Sequence, residues 1–204
     1  MDVTVIVATY GDTVWQRRAR RAIASVPPHI PVIAVHGLAL HDARNIGLQQ
    51  VQTEYVCHLD ADDTLASGYF DALAEVDADI RVPAVSYVRG GRARPAAMPR
   101  VVGHHHDCTA DCIMSGEGNW IVIGAVARTQ LLRDAGGWRA WECYEDYDLW
   151  MRACLHGATV AAAPDAVYLA QFRSDSRNRA PQRAVKHATH QAINTVNLGE
   201  PVIA

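Results

Sequence analysis

Residues 55–63 read Tyr55-Val56-Cys57-His58-Leu59-Asp60-Ala61-Asp62-Asp63. A short apolar run, the length of a buried strand, stops in a cluster of three carboxylates. Alternating acids at the C-terminal tip of a strand suit a divalent cation shared with a phosphate. Mg²⁺ and Mn²⁺ prefer oxygen ligands and usually take only one or two carboxylates, leaving other positions to the phosphates of a ligand. Asp also favours turns and helix caps, so a solvated Asp-rich turn is the other reading of the same residues.

What precedes this stretch decides how the strand is used. Val3-Thr4-Val5-Ile6-Val7-Ala8 is a nearly continuous β-branched run ending in the turn Thr9-Tyr10-Gly11-Asp12, as expected of a strand buried on both faces. The spacing of Trp15, Ala19, Ala22, Ile23 and Val26 predicts a helix from about Thr13 to Val26, closed by Pro27-Pro28. The arginines crowding it, Arg17, Arg18, Arg20 and Arg21, read as a solvated face or as a phosphate-facing one. A second strand is expected around Pro31–Val35, a short helix capped by Asp42 around Ala43–Leu48, and a third strand over Glu54–Leu59. Strand, helix, strand, helix, strand implies right-handed crossovers and a parallel sheet. Ligands of such sheets sit at the C-terminal ends of the strands, where Thr9-Tyr10 and Asp60-Asp62 would meet.

Downstream, a helix (about Ser67–Val76) and a strand (about Arg81–Val88) continue the alternation. Residues 89–118 break it with Gly, Arg and Pro. A strand is then expected over Trp120–Ala127 and a helix over Thr129–Ala135 closed by Gly136-Gly137. A further helix, Glu145–His156, would turn Leu149, Trp150, Ala153 and Cys154 inward, with Asp148 and Arg152 as a surface ion pair. Two strands, Thr159–Ala163 and Val167–Phe172, and a helix near Pro181–Val196 complete the pattern.

The composition, 50% hydrophobic and 20% charged over 204 residues, fits one α/β domain with a sizeable core rather than a disordered chain. A net charge of −3 argues against a general nucleic-acid binder. No apolar stretch approaches the roughly 20 residues that span a bilayer. No basic leader precedes the first strand either, so a cytoplasmic location is expected, with the five cysteines mostly reduced.

In order along the chain, Val5-Ile6-Val7-Ala8-Thr9-Tyr10, Ala43-Arg44-Asn45-Ile46-Gly47, Leu59-Asp60-Ala61-Asp62-Asp63, Gly136-Gly137-Trp138 and Glu145-Asp146-Tyr147-Asp148-Leu149-Trp150-Met151-Arg152 resemble the family-2 glycosyltransferases of GT-A fold. The resemblance implies a Rossmann-like three-layer sandwich with a mostly parallel central sheet flanked by helices. It implies a single domain over 1–204, with a nucleotide-binding half (1–88) and an acceptor-binding half (89–204). The implied activity is transfer of a sugar from a nucleotide-diphosphate-sugar donor to an acceptor hydroxyl, usually with inversion and with Mn²⁺ or Mg²⁺. By resemblance Asp62 coordinates the cation, with Asp60 contacting it or the ribose. Thr9, Tyr10 and Arg44 contact the nucleotide, and Asp146 is the general base with Glu145 beside it. For Arg44 an ion pair with Asp42 or Asp60 is the plainer reading. Glu145 and Asp146 also suit a helix N-terminus, which would depress their pKa.

The chain departs from the family pattern in three places. After the second strand stands His36-Gly37-Leu38-Ala39-Leu40, with no acid to read a uracil edge. Aligning Tyr168 and Ser176 puts Arg173 where relatives carry a late metal-binding His. Arginine has no lone pair for a cation but can grip a diphosphate bidentately. The loop His104-His105-His106-Asp107-Cys108 with Cys112 has zinc-ligand chemistry, and His104, His106, Cys108 and Cys112 are the candidate set for a structural zinc. Trp120 reads as core, while Trp138 and Trp141 suit core or sugar contact. Two other functions remain open: a non-catalytic sugar- or nucleotide-binding module of the same fold, and a sugar nucleotidyltransferase. The latter would want a Gly-rich basic loop where Thr9-Tyr10-Gly11-Asp12 stands.

Overall fold

The computed structural model describes residues 1–101, 109–173 and 183–199. The expected first half is present. Strand β1 (Val3–Tyr10) lies between β2 (Val32–Gly37) and β3 (Tyr55–His58), parallel to both. Helices α1 (Thr13–Ala24) and α2 (Leu40–Gln50) make the crossovers. The side chain of Asp12 caps α1 by accepting from Val14 N at 2.8 Å. Asp42 does not cap α2. It lies in the first turn, the N-cap being Ala39 without a side-chain bond, because the helix starts earlier than its apolar pattern suggests.

β1 alternates between two cores. Val3, Val5 and Val7 pack with Ala19 and Ala22 of α1 and with Phe70 and Leu73 of α3 (Tyr69–Ala74). Ile6 and Ala8 face Leu48 of α2, Leu132 of α5 (Thr129–Asp134), and Leu149 and Trp150 of α6 (Glu145–Leu155). A sheet buried on both faces between helix layers is the three-layer sandwich, and it explains the unbroken apolar run of β1.

The second half makes the sheet mixed rather than purely parallel. Its order is β2-β1-β3-β7-β5-β8-β4, with β4 Thr64–Leu65, β5 Ile80–Arg89, β7 Val126–Arg128 and β8 Val160–Gln171; β6 (Arg92–Ala93) folds back on β5. β1, β2, β3, β5 and β8 run one way, β7 and β4 the other. Among the described residues no long crossover helix joins β5 to β7, and β7 enters the sheet antiparallel to its neighbours. The short helix α4 (Ala110–Met114) falls between them along the chain.

The strand expected over Trp120–Ala127 is real only from Val126. Residues 119–125 are irregular, with Trp120, Ile121, Gly124 and Ala125 buried and Asn119, Val122 and Ile123 half-buried. A Cβ at Gly124 would lie 2.1 Å from the Tyr168 ring, and the Gly124 carbonyl accepts from Tyr69 Oη and Cys57 Sγ. This segment therefore bonds to side chains in place of a ladder. The two final strands are one, β8, whose register slips between Pro83 and Ala84 opposite Ala163 and Val167. The last helix, α7, is Arg183–Leu198. Pro181 and Ser176 fall outside the described residues. Among the described residues no helix is long and apolar enough to cross a membrane.

Candidate active site

Arg44, buried on α2, is the hub of the site. Its Nη2 donates to Asp60 Oδ1 at 2.8 Å and its Nη1 to Glu145 Oε1 at 3.0 Å. The guanidinium lies over the Trp138 ring, 4.2 Å from its centroid, a contact that favours a desolvated cation. Trp138 is fixed from two sides. Asn45 exchanges two hydrogen bonds with its backbone at 2.8 and 2.9 Å, and the indole N–H donates to His58 Nε2 at 3.1 Å. Burial, and then the charge of Arg44, hold His58 well below the usual imidazole range; it is a neutral acceptor. Gly137 makes the approach of this turn possible: its φ is +67° and a Cβ there would sit 2.5 Å from Asn45 Oδ1.

The three carboxylates after β3 divide their work. Asp60 is held by Arg44. Asp62 accepts from Arg173 Nη1 at 3.3 Å, and Arg173 in turn lies 5.0 Å from the Trp15 ring centroid. Asp63 turns the other way, accepting from Tyr168 Oη at 2.8 Å and Gln171 N at 2.6 Å. Burial, then the charge of Asp60, push Asp63 up to about 8 against those two donors. Its role is to pin the acidic turn to β8. Burial and then Asp60 also raise Asp62. That repulsion between Asp60 and Asp62 is what a shared cation would relieve, and the arginines bond one oxygen of each. The chemistry of the pair would suit Mg²⁺ or Mn²⁺, which take one or two carboxylates. Among the described residues no group of three or more His, Cys, Asp or Glu side chains is arranged to hold a metal ion, and Arg173 supplies no ligand in place of the late His.

Glu145 and Asp146 open α6 behind Tyr144, whose φ is +61°. Asp146 Oδ1 accepts from Tyr147 N at 2.9 Å and Oδ2 from Asn119 Nδ2 at 3.0 Å. The helix start does not depress its pKa. Burial, then the charge of Glu145, push it up to about 6, because desolvating a carboxylate beside another outweighs the single N–H it accepts. Asp148 and Arg152 form a fully internal pair at 2.7 Å rather than a surface one. Arg152 also donates to the carbonyls of Ala135 and Gly137, and Asp148 accepts from Asn197. The pair braces the Gly136-Gly137-Trp138 turn against α6 and α7.

Thr9, Tyr10, Arg44, Asp60, Asp62 and Glu145 line one cavity, with Trp15 and Leu40 as further walls. Thr9 turns its hydroxyl to β2, donating to the Val35 carbonyl at 3.2 Å and bonding His36 Nδ1 at 3.0 Å. A second cavity joins Asp60 and Arg44 to Asp146 past Tyr168. Asp146 thus shares a cavity with Arg44 and Asp60.

Asn119 and Trp15 were not legible as site residues. Asn119-Trp120 has no periodic context, and Trp15 reads as an ordinary inward residue of α1. Trp120 is core, its indole N–H donating to the Thr109 carbonyl. Of the candidate zinc ligands, Cys112 is buried in the core beside α6; His104, His106 and Cys108 lie outside the described residues. Cys57, Cys143 and Cys154 are buried free thiols.

A family model described as "Glycosyl transferase family group 2" matches residues 55–191. No curated protein matches. Among solved structures, S. aureus TarS 1-349 in complex with UDP-GlcNAc superposes with a TM-score of 0.69 at 17% identity, over 100% of this chain and 68% of that one. The same fragment in complex with UDP gives 0.65 at 16% identity, over 100% and 67%. A longer S. aureus TarS structure gives 0.66 at 17% identity, over 100% of this chain and 41% of that one. At these identities the likeness is one of fold.

Proposed function

Because the chain belongs to glycosyl transferase family group 2, and so is a glycosyltransferase, we propose that it moves a sugar from a nucleotide-diphosphate donor to an acceptor hydroxyl with inversion. Asp146 is the general base, and residues 1–88 and 89–204 carry donor and acceptor respectively. The observation that carries this reading is the Arg44 bridge, which ties Asp60 of the donor cavity to Glu145, the neighbour of the base.

The donor's nucleotide enters between Tyr10, Trp15 and Leu40, and its diphosphate lies toward Asp60 and Asp62. The aromatic walls suit a base or ribose face. Asp60 and Asp62 would hold Mg²⁺ or Mn²⁺, which when bound offsets the charge developing on the leaving diphosphate. Arg173, next to Asp62, adds a fixed positive charge on the same side. The acceptor hydroxyl approaches past Tyr168 and gives its proton to the Asp146 carboxylate. Its oxygen then attacks the anomeric carbon from the side opposite the leaving group, and the bond to the diphosphate breaks. Asn119 and the Tyr147 amide hold the carboxylate oriented for that transfer. Glu145 keeps Arg44 oriented and, as a neighbouring anion, raises the basicity of Asp146.

TarS structures are in complex with UDP and UDP-GlcNAc, so uridine leads the candidate bases. With no acid after β2, the imidazole of His36, steadied by Thr9, is the polar group nearest that role. A binding-only module of the same fold is the second reading, favoured by the Arg173 contact with Asp62. Calorimetric titration of UDP, GDP, CDP and dTDP with and without Mn²⁺, on wild type and Asp62→Ala, separates them. One nucleotide binding in a cation-dependent way that the substitution removes is the expected result. Absence of binding by all four would sink the transferase mechanism.

A further inference from the structure

His58 is a polar side chain in a slot that packing alone would give to an aliphatic one. It ends β3 opposite Ile6 of β1 and is 2% exposed. By strand alternation it shares the sheet face of Val56, which packs in the same core as Ile6 and Ala8. Its Nε2 accepts the Trp138 indole N–H at 3.1 Å, and the two rings meet edge to face with centroids 4.9 Å apart. In a neutral imidazole that bond leaves the proton on Nδ1. Nδ1 has no hydrogen-bond partner among the described residues. A buried donor without a partner costs the fold its desolvation. An aliphatic side chain opposite a phenyl ring would fill the same space with no polar atom unpaired. What the His58–Trp138 bond contributes is therefore direction rather than stability.

The group so directed is the floor beneath Arg44. Asn45 bonds only the Trp138 backbone, which leaves the torsions of the indole to packing and to His58. The Arg44 guanidinium stands 4.2 Å from that ring's centroid and bonds Asp60 at 2.8 Å and Glu145 at 3.0 Å. Asp60 and Glu145 both line the donor cavity, whereas Trp138 and His58 are not among its walls. Ligand charge entering the cavity competes for both carboxylates, so they cannot by themselves keep the guanidinium fork in one place during binding. The indole can, because Trp138 is 3% exposed and out of reach of anything that enters.

We propose that His58 is a positioning residue of the donor site, whose Nε2 fixes the Trp138 indole and thereby holds the Arg44 fork between Asp60 and Glu145 while nucleotide is bound. It touches no ligand and acts through two intermediaries. The proposal rests on the reading of the Thr9–Asp60–Glu145 cavity as the nucleotide site.

The test compares side chains of different reach at position 58. His58→Gln carries an acceptor oxygen about as far from the backbone as Nε2. His58→Asn carries the same amide short of that point, and His58→Leu carries no acceptor. UDP, GDP, CDP and dTDP are titrated with Mn²⁺ by calorimetry, well below the lowest melting temperature of the set, so that lost affinity is not lost fold. The nucleotide that wild type takes should bind His58→Gln as it binds wild type. It should bind His58→Asn and His58→Leu about three- to tenfold more weakly, the worth of one hydrogen bond. In a Trp138→Phe background, where no N–H is left to receive, His58→Gln should bind no better than the other two. Equal affinity of His58→Gln and the shorter-reach variants beside an intact Trp138 overturns the proposal, as does a gap between them that persists in Trp138→Phe. Failure of wild type to bind any of the four overturns the nucleotide-site reading and the proposal with it; wild-type binding with indifferent variants overturns the proposal alone.

Discussion

Asp146 stands about two units above an ordinary carboxylate (~3.9), at about 6, chiefly through burial and then through Glu145. On the proposed mechanism Asp146 must be ionised to take the proton, so turnover is expected to fall as pH drops through about 6, with binding of nucleotide less affected. Asn119 donates to the charged carboxylate and so lowers its pKa. Asn119→Ala should therefore shift the acid limb of the rate profile to higher pH, and an unmoved limb would remove Asn119 from the base's environment. Asp146→Asn should lose on the order of 10²- to 10⁴-fold in kcat. The stability effect has the opposite sense. The folded pKa lies above the unfolded one, so the native state holds more protons between about pH 4 and 6, and stability is lost as pH rises through that window. Asp146→Asn should thus melt no lower than wild type at pH 8. A variant that is inactive only because it unfolds would refute the assignment. At this scale the sequence was most readable where a residue belongs to an ordered set of motifs, as Arg44, Asp60 and Asp62 do. Asn119 belongs to none, and its contact with Asp146 exists only through a loop whose path the local sequence does not dictate.

The elements that carry these residues are held by internal polar contacts more than by caps. Arg152 lies along α6 with Asp148 four residues earlier, and sequence spacing is the same whether such a pair faces water or protein. What buries it is remote: the carbonyls of Ala135 and Gly137 on one side and Asn197 of α7 on the other. Arg152→Ala should cost about 3 kcal/mol by taking from buried Asp148 its nearest counter-charge, with Asn197 and the more distant Arg139 as remaining partners, and Arg152→Met less if repacking compensates. Chemical denaturation of the two variants measures the difference, and equal mild effects would mean that the pair is not buried. Gly137→Ala strains a φ of +67° and drives a methyl toward Asn45 Oδ1 at 2.5 Å, a cost of about 1–3 kcal/mol. Since Asn45 holds Trp138 under Arg44, nucleotide binding should weaken together with stability. The misread strand over 120–125 has a similar lesson. Trp120, Ile121, Val122 and Ile123 have strand composition, but the single Gly124, pressed on Tyr168, decides that the segment bonds to side chains instead of a ladder.

Across the whole molecule, the alternating first half was legible because parallel strands must be apolar throughout and their crossovers helical. The mixed second half was not, because the direction of β7 depends on where a long return path re-enters the sheet. The two halves meet at Arg44, which reaches Glu145 101 positions away while holding Asp60. A ligand seated against Arg44 therefore stabilises contacts between distant parts of the chain rather than one lobe. At a nucleotide concentration 100-fold above Kd, linkage gives about 2.7 kcal/mol. For a chain of this size that corresponds to a melting shift of roughly 5–10 °C. Arg44→Lys keeps the charge but not the planar fork that bonds two carboxylates at once. It should retain the fold with a lowered melting temperature while losing at least half of the nucleotide-induced shift, because the donor-side acids are no longer tied to α6. If Arg44→Lys melts lower but shows the full wild-type shift, Arg44 serves the fold alone, and the link between donor cavity and base must run elsewhere.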